Sequence, residues 1–137
     1  MIDIVLMKAE LKRDEGIRLK PYKDTVGKLT IGVGRNLDDV GITAHEADFL
    51  LTGDIANAIH DLDMALPWWK NLSEIRQRAL LNMCFNLGIH RLLGFRNMLE
   101  ALRKGEYVEA SNQALNSKWA QQVGSRAQRI AVQFVTG

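Results

Sequence analysis

Cysteine is nearly absent: Cys84 stands alone, so no internal disulfide can form. His45, His60 and His90 are scattered among non-ligand residues, which excludes a zinc-finger spacing, and neither a metal site nor a cofactor is expected. With two prolines and 25% charged residues, the chain lacks the composition of disordered or collagen-like proteins. Long apolar runs are missing too. No window nears the roughly 18 consecutive apolar residues of a membrane span, so no stable membrane insertion is expected. The opening MIDIVLMKAELKRDEG is broken by Asp3, Lys8 and Glu10 and does not read as a signal peptide. The expected protein stays in the cytoplasm where it is made until something else releases it. No repeat, linker or low-complexity tract appears.

What remains is one ordinary domain: 137 residues, 47% of them hydrophobic, enough to bury a core. The 18 basic and 16 acidic side chains give a net charge of +2, but unevenly. Residues 1–68 carry 8 basic and 12 acidic groups, residues 69–137 carry 10 and 4. A basic second half suits an anionic partner such as a bacterial envelope or nucleic acid; the plain alternative is a scatter of solvated arginines.

Apolar residues at Ile2, Val5, Leu6 and Ala9 form a helical stripe. From Leu19 to Asn36 the pattern turns β-like, with LKPYKD and KLTIGV flanking Thr25-Val26-Gly27, which predicts a hairpin or small sheet with Pro21 at an edge or strand start. Thr43-Ala-His-Glu46 has capping-box spacing and leads a long apolar stripe from Ala47 to Leu66, stopped by Pro67. Ser73 can cap a further helix, apolar on nearly all sides and ending at Gly88. Shorter helices are predicted around 95–104, 106–115 and 125–135.

Two carboxylates and a hydroxyl, Glu15, Asp24 and Thr30, fall inside the small-sheet segment. Those are the parts of a glycoside hydrolase: an acid for the leaving oxygen, a second group for the positive charge developing on the sugar, and a held water. The spacing alone also fits ordinary structure, with Glu15 pairing near Arg13 and Arg18 and Asp24 starting a turn.

The run DEGIRLKPYKDTVGKLTIGVGRNL, from Asp14 to Leu37, resembles the active-site segment of phage-type lysozymes (endolysins, glycoside hydrolase family 24). The likeness continues in order through ITAHEADFLL, RALLNMCFNLG and SKWAQQVGSRAQRIAVQFVTG, which resemble that family's interlobe helix, central core helix and C-terminal stretch. The resemblance implies a mostly helical α+β lysozyme fold, one domain over residues 1–137. Its small β-sheet lobe would cover about 14–42 and a long interlobe helix about 43–66. The helical lobe would cover about 67–137 together with the N-terminal helix at 2–13.

It also implies roles. Glu15 would be the general acid, shielded by partial burial; Asp24 the second carboxylate; Thr30 the hydroxyl holding the attacking water, in an inverting, cofactor-free muramidase. The substrate would be peptidoglycan, cut between N-acetylmuramic acid and N-acetylglucosamine. Gly34, Phe85 and Asn86 match positions that bind sugar in the cleft, although a core role for Phe85 is favoured by its apolar helix. Arg126 matches an arginine near the acid, where a cation favours the charged carboxylate; a lobe anchor is the other reading. Release from the host by a holin and a monomeric state are expected, with no nucleic-acid partner.

Three departures from the family stand out. Arg35 replaces a common histidine, so any histidine–aspartate pairing is lost. The connection LDDVGI is short, trimming the small lobe. The sequence stops at Gly137, which leaves Phe134 as a candidate exposed apolar group. Competing functions are a lytic transglycosylase on the same bond, a catalytically dead wall-binding or virion structural relative, and a helix-turn-helix module using Arg76, Arg78, Arg126 and Arg129.

Overall fold

The computed structural model describes residues 1–137 and falls into two compact units, Met1–Phe49 and Leu50–Gly137. The architecture is α+β and mostly helical, as the sequence indicates. The first unit opens with α1 (Ile4–Glu15), started by Asp3, whose carboxylate accepts from the Leu6 amide at 3.1 Å. Gly16 ends it at φ +76°, donating its N–H to the Lys12 carbonyl. Three antiparallel strands follow in the order β1 (Arg18–Lys23), β2 (Leu29–Gly32) and β3 (Arg35–Asn36). The β1–β2 register slips between Arg18 and Tyr22, around Pro21, which has no N–H for the ladder.

The chain then enters α2 (Ala44–Ala65) through the anticipated capping box. Glu46 donates its amide to Thr43 Oγ1 at 3.1 Å, and the Thr43 amide donates to Glu46 Oε1 at 2.9 Å. Of residues 1–49 only Thr30 is buried; hydrogen bonds and ion pairs hold this unit rather than a core of its own. The unit boundary falls inside α2. The resemblance implies an N-terminal helix that belongs with the helical lobe; by compactness α1 falls in the first unit, with the sheet. It buries none of its residues and joins β1 through Gly16 and Ile17 alone.

The second unit holds the core. After a 3₁₀ segment at Pro67–Asn71 come α3 (Glu74–Leu87), α4 (Ile89–Leu93), α5 (Arg96–Lys104), α6 (Tyr107–Leu115), α7 (Lys118–Val123) and α8 (Ser125–Thr136). Leu62, Leu80, Met83, Leu92, Met98, Leu102, Ile130 and Phe134 are fully buried, each side chain contributing about 1.5–3 kcal/mol of transfer free energy. Phe134 is thus core, not exposed surface. Arg76 helps hold it there: Nε and Nη2 donate to the carbonyls of Phe134 and Val135 at 2.7 and 3.2 Å, while the guanidinium stacks 3.4 Å from the Tyr107 ring centroid. The cation sits where the last turn of α8 leaves carbonyls unpaired.

The helix α3 is less enclosed than its composition suggests. Ala79, Leu80, Met83, Cys84 and Leu87 face inward, but Phe85 is 46% exposed. It falls on the same face as Arg78 and Asn82 at helical spacing, which overturns the core reading of this aromatic.

Candidate active site

The small unit gathers four of the singled-out residues. Glu15 is the last residue of α1, placed there by the helix stop at Gly16. Its carboxylate reaches the β2–β3 turn, where Gly34 at φ +68° leaves so little room that an added β-carbon would stand 3.1 Å from Oε2. The partial burial expected of Glu15 is absent; the residue is exposed, because it closes a helix with no buried face.

Asp24 and Thr30 converge on the backbone of one residue, Lys28. Asp24 Oδ1 accepts from the amides of Val26 at 2.9 Å and Lys28 at 2.8 Å. The Lys28 carbonyl in turn accepts from the Asp24 amide and from Thr30 Oγ1, both at 2.9 Å. The Asx-type turn over Asp24 to Lys28 therefore fixes the carboxylate through the N–H of Lys28 and the hydroxyl through its carbonyl. Thr30, 3% exposed, pairs across the sheet with Tyr22 and Asn36.

Arg35 makes an ion pair of its own. Its Nη1 donates to the Gly41 carbonyl at 3.1 Å and to Glu46 Oε1 at 2.9 Å, and Nη2 donates to Glu46 Oε2 at 2.8 Å. The guanidinium's hydrogen bonds, with help from the Thr43 amide, hold the Glu46 carboxyl down at about 2. Sequence reasoning missed this pair, although the capping box already marked Glu46 as a helix-start residue.

Phe85, Asn86 and Arg126 lie in the helical unit. Phe85 lines a cavity of about 320 Å³ with Leu51, Ile55, Arg78, Asn82 and Arg126. Arg126 Nε donates to Asn82 Oδ1 at 2.9 Å, joining α8 to α3. Asn86 Oδ1 accepts from the indole N–H of Trp119 at 2.8 Å. Trp119 is 4% exposed and meets Phe95 edge-on at 6.1 Å, so Asn86 satisfies a buried donor. Phe95 and Trp119 also border a larger cavity of about 640 Å³ that carries Arg91, Arg96 and Lys118 and no carboxylate. No group of three or more His, Cys, Asp or Glu side chains is arranged to hold a metal, and no helix is long and apolar enough to cross a membrane.

The phage lysozyme family model matches residues 12–132, the span that runs from Glu15 through the sheet to α8. The chain belongs to the phage lysozyme family. The chain is 32% identical to the pre-baseplate central spike protein of Enterobacteria phage T4, over 93% of this chain but 27% of that protein. It therefore spans about a quarter of the length of that relative. It is 30% identical to the probable T4-type lysozyme 1 of Dictyostelium discoideum, over 96% of this chain and 94% of the relative. An endolysin of Acyrthosiphon pisum secondary endosymbiont phage 1 is 32% identical over 80% of this chain and 74% of its own length.

Proposed function

We propose that this member of the phage lysozyme family, a family of glycoside hydrolases, hydrolyses the β-1,4 bond between N-acetylmuramic acid and N-acetylglucosamine in peptidoglycan, with inversion. The observation that carries the reading is the grouping of a carboxylate against the Gly34 turn with a second carboxylate and a hydroxyl bound to the backbone of Lys28, in one small unit.

In this mechanism Glu15 delivers its proton to the glycosidic oxygen as the bond from that oxygen to the anomeric carbon breaks. Substrate lying over the exposed carboxyl supplies the exclusion of water that the free protein lacks. The hydrogen bonds to Asp24 are made by Oδ1, leaving Oδ2 for the positive charge developing at the anomeric carbon. The Thr30 hydroxyl has committed its proton to the Lys28 carbonyl, so its lone pairs receive the attacking water. That water adds from the face opposite the leaving group, its proton passing to Asp24, which inverts the centre.

The cationic cavity beside Trp119 supports binding of carboxylate-bearing wall peptides. On this reading the protein acts as a monomer, and a separate holin releases it from the host to lyse the cell. A second reading, the lytic module of a virion protein, is favoured by the likeness to the phage T4 spike protein; finding the chain in purified particles by proteomics would select it.

Mass spectrometry of purified peptidoglycan digested with the wild-type protein, beside Glu15→Gln, tests the activity. Reducing muramic ends with wild type alone are expected, and NMR of the first-formed anomer reads the inversion. Anhydro ends would make the enzyme a lytic transglycosylase, and an intact wall would overturn the enzymatic reading.

A further inference from the structure

We propose that Arg35 is a positioning residue, whose clamp on Glu46 and on the Gly41 carbonyl fixes the Gly34 backbone beneath the carboxylate of Glu15. The proposal rests on the reading of Glu15 as the acid.

Arg35 directly follows Gly34, so whatever restrains its side chain also restrains the peptide that Glu15 packs against. The restraint is strong in geometry. Two guanidinium nitrogens take both oxygens of Glu46 at 2.9 and 2.8 Å and the Gly41 carbonyl at 3.1 Å, a planar fork that a lysine cannot reproduce. Glu46 is itself fixed in the first turn of α2, where Oε1 also accepts from the Thr43 amide and its own amide bonds Thr43 Oγ1. The clamp thus joins the short loop, the start of α2 and β3 at one point.

On the strand side, Arg35 pairs with Ile31 while its neighbour Asn36 pairs with Thr30, so the same point sets the hairpin that carries the hydroxyl. On the other side there is little slack, since a single methyl at Gly34 would press the Glu15 carboxylate at 3.1 Å. The ion pair is itself more than a third exposed on both partners, and exposed pairs contribute little to stability. Its larger effect is on placement, because small displacements of a catalytic group are costly in rate.

The test uses Arg35→Lys, which keeps the charge and loses the fork, Glu46→Gln, which keeps Arg35 and loses the ion pair, and the double variant. Thermal melts establish that each is folded at the assay temperature. Arg35→Lys is expected to lose kcat by roughly tenfold with KM within about twofold; the double variant falls no further, because both changes break one clamp. In ¹⁵N–¹H spectra the Gly34 and Glu15 amide signals move in both single variants. Folded variants with wild-type kcat, additive losses, or unmoved Gly34 and Glu15 signals would each overturn the proposal. Should Glu15→Gln retain activity, the acid assignment falls separately, and the spectra still decide whether Arg35 sets Gly34.

Discussion

Glu15 rests its carboxylate against Gly34, with Oε2 only 3.1 Å and Cδ 3.4 Å from where a β-carbon on the glycine would be. The turn needs a glycine there for its positive φ, and the carboxylate needs one for space. Gly32 offers the control: it has nearly the same φ, +70°, with nothing within 4 Å of its missing β-carbon.

Gly34→Ala and Gly32→Ala should therefore lose similar stability, about 1–2 kcal/mol for a left-handed alanine, while only Gly34→Ala displaces Glu15. We expect kcat to fall at least roughly tenfold in Gly34→Ala and to hold in Gly32→Ala. Melting curves beside wall-digestion kinetics read both, and equal rates in the two variants would refute the link.

Asp24→Asn and Thr30→Val should separate chemistry from folding. An asparagine keeps one oxygen for the Val26 and Lys28 amides, and the Lys28 carbonyl keeps the Asp24 amide when Thr30 loses its hydroxyl. We expect near-native melts with activity down about 10²–10⁴-fold for Asp24→Asn and roughly 10²-fold for Thr30→Val. Wild-type rates in both would move the site elsewhere.

Acid should loosen the Arg35 clamp in a defined window. The hydrogen bonds from Arg35, and then from the Thr43 backbone, lower Glu46 from 4.5 to about 2. A carboxylate depressed by folding stabilises the fold above its unfolded value, and that contribution is lost as pH falls through its folded value. The stability advantage of wild type over Glu46→Gln should be full at neutral pH, decline below about pH 4.5 and vanish near pH 2. Urea midpoints at several pH values check this, and a gap independent of pH would contradict it.

Asn86 anchors Trp119, so Asn86→Ala strands a buried indole N–H and should cost about 1–3 kcal/mol. Asn86→Asp keeps the acceptor. If the anchor is the whole role, the aspartate variant melts like wild type and binds wall fragments with unchanged KM; a raised KM at native stability would instead mark Asn86 as a sugar ligand.

Arg76→Met removes two carbonyl bonds at the end of α8 and the stacking on Tyr107. A loss of about 2 kcal/mol is expected, seen as a lower denaturation midpoint with catalysis unchanged below it.

Local interactions were legible in the residues. The Ser73 cap, the capping box from Thr43 to Glu46, the stop at Gly88 and the hairpin before Asn36 all depend on groups within a few positions of each other, and the structure carries each of them. Helices α4 and α7, of 5 and 6 residues, were not, because one turn and a half shows no period. The two-residue strand β3 is defined by its partner rather than by its own pattern.

The residue types of the site were likewise set by sequence: two carboxylates, a hydroxyl and the glycines of a turn. Which atoms meet was decided by folding. Glu15 against Gly34, Arg35 on Glu46, Asn86 under Trp119 and Arg76 across the end of α8 all join residues far apart in the chain. Phe85 and Phe134 have the same side chain in apolar helices, yet one is 46% exposed and the other 0%. Periodicity gives the faces of a helix, but burial depends on which face a neighbour covers, and only the packed chain supplies that neighbour.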